Sequence, residues 1–433
     1  MHLLFVFVCP SKYFFVFLLR FQKMIFFIVL KMKIIERTDY KDYMWDIKGS
    51  PDIKVITGIR RAGKSEVMKS FVDRLKIEDA SANVVYADLS VLENEPLLEY
   101  HQLYEWAKAQ YQIGKKNYLL IDEVQLCEHF ELSINSLHTL GLYDIYLTGS
   151  NAFMLSSDLA TLFTGRHIEI HVFPFSFREF CAYYSSDTDL QMLFDRYVVE
   201  GGLSGSYVYE KERDRKNYIK NVYHTILRRD LTEKYNLPDS KMLEQVTEFM
   251  MDNISNTTSP NNVSNCLTAN GTITNHSTIG SYLKYLCDAF VLYKVSRYDI
   301  QGKKYLQTLD KYYLADSGIR FAVLGKRNMD YGRVYENIVA LELLRRGYSI
   351  YVGKLYQKEI DFVAIRENEK IYIQVSDDIS SPDTFQREID PLMKIRDAYP
   401  KVLIARTRHE LYDYQGVKIY DLAHWLKESG MFL

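Results

Sequence analysis

The 433-residue chain reads as an α/β protein founded on a parallel sheet, and three observations predict this. A short apolar strand, KVIT at 54–57, runs into a glycine-bounded loop and then into a helical pattern. A second apolar strand, YLLI at 118–121, ends in two adjacent carboxylates. Five strand-like runs, KVITG, NVVYADLS, YLLIDEV, DIYLTGS and HIEIHVF, alternate with helical segments such as Leu97 to Gln112. Strands alternating with helices are the signature of a parallel sheet with covering helices. Behind it the pattern predicts a helical lid, a winged helix-turn-helix and an α/β C-terminal domain.

The first strand opens the chemistry. Gly58, Gly63, Lys64 and Ser65 match G-x-x-x-x-G-K-[ST], with Ile59, Arg60, Arg61 and Ala62 between the glycines. Glycines let backbone N–H groups turn inward around phosphate oxygens, and the next helix, with Glu66 in its first turn, points its N-terminus at the same anion. The expected ligand is ATP with Mg²⁺. Lys64 would reach the β- and γ-phosphates and Ser65 would ligate the metal. The plain alternative is a glycine turn before a helix that happens to carry a lysine.

The second strand bears on that choice. Two carboxylates directly after four apolar residues are odd for a core strand and are expected where an acid meets a metal at a strand's C-terminal end. Asp122 would belong to the Mg²⁺ shell and Glu123 would polarise the attacking water. The competing reading makes them caps of a helix that begins near Glu128. The next strand ends in Thr148, Ser150 and Asn151. Ser150 and Asn151 are candidate γ-phosphate sensors or, equally, a polar turn. Arg166, just before HIEIHVF, is a candidate charge sensor or arginine finger, with a surface arginine as the alternative.

From Pro174 to about Tyr235 the pattern is helical and would form the lid. Arg228, Arg229 and Asp230 would face a phosphate or a neighbouring subunit, or else form a solvated helix face. Residues 242–315 read as a separate unit of helix, helix, helix and hairpin, which is a winged helix-turn-helix. Ile279, Leu283, Leu286 and Phe290 fall on one face of its third helix, leaving Ser277, Ser281, Tyr282 and Lys284 outward. The wing carries Lys294, Arg297, Lys303, Lys304 and Lys311 against Asp299 and Asp310, a modest phosphate-facing bias. Ser281, Lys284, Lys303 and Lys304 are the candidate contacts to duplex DNA, and a protein-docking surface is the alternative. The N-x-[ST] triplets at Asn253, Asn256, Asn262, Asn270 and Asn275 arise from local Asn/Ser/Thr richness.

The stretches GIRRAGKS, LLIDEVQ, LTGSNAFML, TGRHIEIHVFPFSFREF, YYLADSGIR and GRVYENIVALELLRRGY together resemble a family of prokaryotic AAA-type P-loop ATPases. The resemblance covers about Met32 to the C-terminus. It implies ATP binding, a winged-helix segment and a C-terminal domain that resembles restriction endonucleases. That domain would begin near Met329 with the helix GRVYENIVALELLRRG, and continue with the strands YSIYVG, EIDFVAIR, KIYIQVSD, KVLIART and VKIYDL. Such nucleases hold Mg²⁺ between an Asp on one strand and an acid on the next, with a lysine two residues on. Glu336 and Asp361 stand at the matching helix and strand positions, but Gln374-Val375-Ser376 replaces Glu-x-Lys. A degenerate site is therefore expected, with Lys354 or Lys358 the nearest substitutes for the missing cation.

The resulting division is an apolar leader over 1–31, a P-loop ATPase core over 32–174, a lid over 175–240, a winged-helix segment over 241–328 and an endonuclease-like domain over 329–433. The leader is split by Lys12, Arg20 and Lys23 into runs shorter than the ~20 apolar residues a bilayer span takes, and it is read as preceding the true start at Met32. A net charge of −2 gives no global field toward nucleic acid, so DNA contact must be local. Five cysteines without a C-x-x-C pair suggest neither a zinc site nor a disulfide framework. A cytoplasmic location is the simple expectation, with no membrane partner and with a homo-oligomer compatible with the pattern. The expected function is an ATPase whose cycle rearranges the downstream modules on DNA. The alternatives are a nucleotide-dependent protein-docking switch and an ATP-gated nuclease.

Overall fold

Two sheets organise the computed structural model, which describes residues 33, 35–149, 163, 165–184, 188–238, 240–326 and 329–428. A lead-in helix α1 (Thr38–Asp46) precedes β1 (Ile53–Thr57), α2 (Lys64–Glu78), β2 (Asn83–Asp88), α3 (Tyr100–Gln110), β3 (Asn117–Asp122), α4 (Phe130–Thr139), β4 (Asp144–Thr148) and β5 (His167–His171). The five strands are all parallel, in the order β2-β3-β4-β1-β5. Every residue of β1 and β3 is buried. Such unbroken burial is what a sheet covered on both faces produces. Ile53, Val55, Leu119, Ile121, Ile145 and Leu147 pack with Leu103, Ile134 and Leu137 of the covering helices in one core.

The segment expected to form the lid is helical: α5 (Phe177–Tyr184), α6 (Leu190–Glu200) and α7 (Glu212–Thr225), which continues as a π-helical stretch over Ile226–Glu233. Then come α8 (Ser240–Asp252), β6 (Thr257–Thr258), α9 (Pro260–Ala269), α10 (His276–Asp288) and the antiparallel hairpin β7 (Leu292–Asp299) and β8 (Lys304–Leu314). Ser259 and Asn275 cap α9 and α10 with their side chains. The chain closes with α11 (Ser317–Leu324), α12 (Tyr331–Arg345), β9 (Ser349–Leu355), β10 (Lys358–Arg366), β11 (Glu369–Ser376), α13 (Pro382–Met393), β12 (Lys401–Ala405), β13 (Tyr412–Tyr414), β14 (Val417–Asp421) and α14 (Leu422–Lys427).

The β7–β8 hairpin, expected to be the wing of a separate unit, is not separate from the C-terminal strands. One nine-stranded sheet runs β13-β14-β12-β11-β10-β9-β7-β8-β6, and β7 pairs in parallel with β9 through Arg297↔Val352, Tyr298↔Gly353 and Asp299↔Lys354. The reason is apolar. Tyr298 and Ile300, at the end of the hairpin's first strand, share a core with Leu355, Ile360, Val363, Tyr372 and Leu403. The residues from Arg37 onward accordingly cluster as one compact unit. Tyr282, expected to face outward, is buried with Ile279, Leu283 and Leu286. Among the described residues no helix is long and apolar enough to cross a membrane.

Candidate nucleotide site

The loop between β1 and α2 is shaped by two glycines. Gly58 has φ +135° and a Cβ there would collide with the Val172 carbonyl, while Gly63, at φ +95°, caps α2. Neither conformation suits an L side chain. Arg61, at φ +67°, is the other left-handed residue of the turn. Ile59 and Ala62 are buried beneath the loop, and Glu66 points to solvent.

Lys64 lies buried inside the loop, its Nζ donating to the Gly58 carbonyl at 2.9 Å and the Ile59 carbonyl at 3.3 Å. Burial lowers its ammonium to about 8, against the pull of Glu123. An incoming anion would raise it again. Facing it across the sheet, Ser65 Oγ donates to Asp122 Oδ1 at 3.1 Å, and Thr148 Oγ1 bonds the same oxygen. The strand order explains this meeting. Because β4 lies between β1 and β3, the last residue of β4 stands between the loop and Asp122. Burial pushes the Asp122 carboxyl up while the two hydroxyls hold it down. Glu123 comes next in a left-handed conformation at φ +55°, its N–H donating to Thr148 Oγ1 at 3.1 Å and its carboxylate bonded by Gln125. Left-handed backbone at a non-glycine is strained and collects at functional sites. The donor set of Lys64, Ser65, Asp122 and Glu123 fits a nucleoside triphosphate with a hard divalent cation.

Three further contacts bind this loop to the rest of the chain. Arg60 forms a bidentate pair with Asp230, with Nε to Oδ2 at 2.8 Å. Asp230, offered by the sequence as part of a solvated face, is instead buried in the π-helical stretch, while Arg228 and Arg229 remain exposed. Arg37 is buried and donates to the Ala62 carbonyl at 2.9 Å, the Phe173 carbonyl at 3.0 Å and Glu179 Oε1 at 2.7 Å. It therefore pins the loop to the start of the lid. Thr57, the residue before Gly58, donates to Glu169 at 2.6 Å and meets His171 Nδ1 at 3.0 Å. The Thr57 hydroxyl has one proton, already given to Glu169, so His171 Nδ1 donates and Nε2 accepts from Tyr293 OH at 2.7 Å. Burial keeps this imidazole neutral, lowering it to about 3.

Arg166 is not brought to the cradle. It is exposed at the N-terminal end of β5, whereas the loop leaves β1 at Thr57, which is in register with His171 at the other end of that strand. Its expected role as a sensor on this chain's own nucleotide is corrected on that ground. Ser150 and Asn151 lie outside the described residues, as does the 1–31 leader. Arg37 and Tyr293 carried no spacing signal in the sequence.

The C-terminal carboxylates form a second cluster. Lys311 of β8 donates to Glu336 Oε1 at 2.8 Å and pairs with Glu359 at 2.7 Å and Asp361 at 3.8 Å. Tyr313 OH donates to Glu336 at 2.7 Å, and Val375 N–H donates to Asp361 at 2.8 Å. Burial pushes the Asp361 and Glu336 carboxyls up. The β9–β10 register shifts between Ile360 and Val363, beside Asp361. Such irregularities re-aim side chains near functional sites. Gln374 is committed elsewhere: its Oε1 accepts from Asp361 N at 3.4 Å and its amide donates to Glu388 at 3.0 Å. The cation expected from Lys354 or Lys358 comes from Lys311 instead, and Lys358 pairs with Asp390 at 3.4 Å. Lys311 thus leaves the set of residues expected to face solvent on a wing. Glu359 was legible, since it stands two residues before Asp361 on a strand and so on the same face.

Of the DNA candidates, Lys284, Lys303 and Lys304 are exposed, and Ser281 is exposed with its hydroxyl donating to the Ser277 carbonyl at 3.2 Å. Lys294 is tied to Asp310 at 3.0 Å.

A glycine-cradled buried lysine, a serine and a strand-end acid define the P-loop nucleotide-binding class. Comparison with known proteins gives the family. An AAA domain model matches residues 50–181, and a model described as a domain of unknown function matches 191–330. An uncharacterized protein of Haemophilus influenzae is 36% identical over 400 residues, covering 91% of this chain and 98% of that one. An uncharacterized protein of Methanocaldococcus jannaschii is 26% identical over 361 residues, 79% of each chain. Among solved structures, the Walker-type ATPase of Pyrococcus abyssi aligns at TM-score 0.44 and 13% identity over 67% of this chain and 95% of its own. The chain belongs to the same family as the Haemophilus protein, a family of AAA-domain P-loop proteins.

Proposed function

We propose that the protein hydrolyses ATP and uses the cycle to shift the helix–hairpin module, read as a winged helix, and the endonuclease-like C-terminal module on duplex DNA. The observation that carries the coupling is the chain Glu169–Thr57–His171–Tyr293. It begins beside Gly58 and ends on β7, a strand of the second sheet. A change in loop conformation at Gly58 moves Thr57 and therefore the hydrogen bond that holds Tyr293. The Arg60–Asp230 pair does the same for the lid.

In this reading Lys64 leaves the Gly58 and Ile59 carbonyls and binds the β- and γ-phosphates. Ser65 and Asp122 would hold Mg²⁺, which supplies charge neutralisation at the phosphate oxygens. Glu123 orients the attacking water and accepts its proton. Exposed Lys284, Lys303 and Lys304 supply the phosphate contacts to DNA.

A second reading, a protein-docking switch, draws support from the wing itself. With Lys311 buried and the exposed Lys294 paired to Asp310, fewer wing cations are left for DNA than the sequence promised. ATP turnover by the full chain with and without duplex DNA tests the choice. Turnover stimulated by DNA in a salt-dependent way supports the DNA reading, and turnover indifferent to DNA favours protein docking.

A further inference from the structure

The cluster around Lys311 has a feature that the nucleotide site lacks: its centre is already filled by a positive charge. We propose that Lys311 is the resident cation of the C-terminal cluster, standing where Glu336, Glu359 and Asp361 would otherwise hold a divalent metal, and that it closes this site to Mg²⁺ and Mn²⁺. The geometry of these four side chains carries the proposal, whatever the nucleotide site does.

Three carboxylates from two elements converge on one point. Glu336 comes from α12, and Glu359 and Asp361 come from the same face of β10. A hard cation is held by carboxylate oxygens converging in this way. The point is occupied by Nζ, within 2.8 Å of Glu336 and 2.7 Å of Glu359 and 3.8 Å from Asp361. Lys311 is only 3% exposed, so the ammonium has been stripped of water and depends on these acids for compensation. Ion-pair contacts to three carboxylates hold the ammonium at this point.

The lysine is also fixed in place. Its backbone is paired on both sides, with Val295 of β7 and with Thr257 of β6. Other donors hold the acids as well: Tyr313 donates to Glu336, and the Val375 N–H takes the second oxygen of Asp361. A metal could enter only by displacing this buried ammonium from the acids that compensate it. The lysine belongs to the hairpin and the acids to the C-terminal module, so the same contact welds the two modules together.

The test is Mn²⁺ binding by the nucleotide-free full chain, measured by electron paramagnetic resonance and by thermal unfolding. Wild type and Asp361→Asn should give the same Mn²⁺ titration. Lys311→Ala should gain one Mn²⁺ site per chain that Asp361→Asn removes when added to it, and Mn²⁺ should raise the melting temperature of Lys311→Ala alone. Where Lys311→Ala fails to fold, Lys311→Met keeps the side chain's bulk and all three carboxylates and should show the same Asp361-dependent gain. An Asp361-dependent Mn²⁺ site in the wild type would overturn the proposal. So would a folded Lys311 variant, with all three carboxylates intact, that gains no site.

Discussion

The nucleotide cradle and the C-terminal cluster use similar parts to opposite ends. Each sets a strand-borne buried acid beside a buried lysine. In the cradle, Lys64 bonds two loop carbonyls, and Asp122 is bonded by the neutral hydroxyls of Ser65 and Thr148. Both partners can turn away to admit a cation. In the cluster, Lys311 sits among the acids and the charge is met internally. The lesson is that acid residues alone do not mark a metal site. What decides is whether the chain brings its own cation to them.

The largest effects are expected at the two lysines. Lys64→Ala should weaken ATP binding by at least about 100-fold, since a charge-assisted phosphate contact and its counter-charge are both lost. Fold stability should change far less, because Lys64 holds only loop carbonyls. Lys311→Ala should behave in reverse, leaving ATP affinity intact but costing about 3–5 kcal/mol of stability in denaturant unfolding, the penalty for leaving buried charge without its partner.

A smaller effect probes the link between loop and lid. Arg60→Ala leaves Asp230 buried without its guanidinium and should cost about 2 kcal/mol. Double substitution with Asp230→Asn should recover part of it, read in a double-mutant cycle.

Asp316 tests the junction of lid and second sheet by pH. The Gly202 N–H donates to it, and burial raises its carboxyl to about 7 from an ordinary value of 3.8. The folded state thus keeps a proton that the unfolded chain has released. That stability is full below about pH 4 and is lost as the pH rises through about 7. Asp316→Asn, which keeps an acceptor and never ionises, should flatten the slope of unfolding free energy over that window. The smallest expected effect is at the β7–β8 hairpin. Lys303→Ala/Lys304→Ala should weaken DNA binding equally across sequences and lower the salt slope by about one unit per lost phosphate contact.

Much of this was legible in the sequence because it rests on local rules. The β1 loop is written by two glycines at fixed spacing, and the Asp122–Glu123 pair by charge after an apolar run. The three central strands of the first sheet, β3, β4 and β1, are marked by short apolar runs that the fold buries. What escaped depends on pairing at long range. Arg37 reaches Glu179 and Lys311 reaches Glu336 through folds that no window of the chain encodes. Lys311 looked like one more wing lysine, although Tyr313, two residues on, shares its face and its partner. Asp316 could have been found, since it comes after an apolar run, YYLA, much as Asp122 comes after YLLI. The joining of hairpin and C-terminal sheet escaped because β8, α11 and α12 lie between β7 and β9 in the chain, and parallel pairing leaves no turn signature.

Whether the cradle is a working ATPase site with Glu123 as its base is decided most directly by ATP binding and turnover of the full chain, wild type against Glu123→Gln. ATP affinity should be unchanged and turnover reduced by about 100-fold or more, because on the proposed assignment Glu123 would act on the water and Lys64 on the phosphates. Undiminished turnover by Glu123→Gln would contradict that assignment.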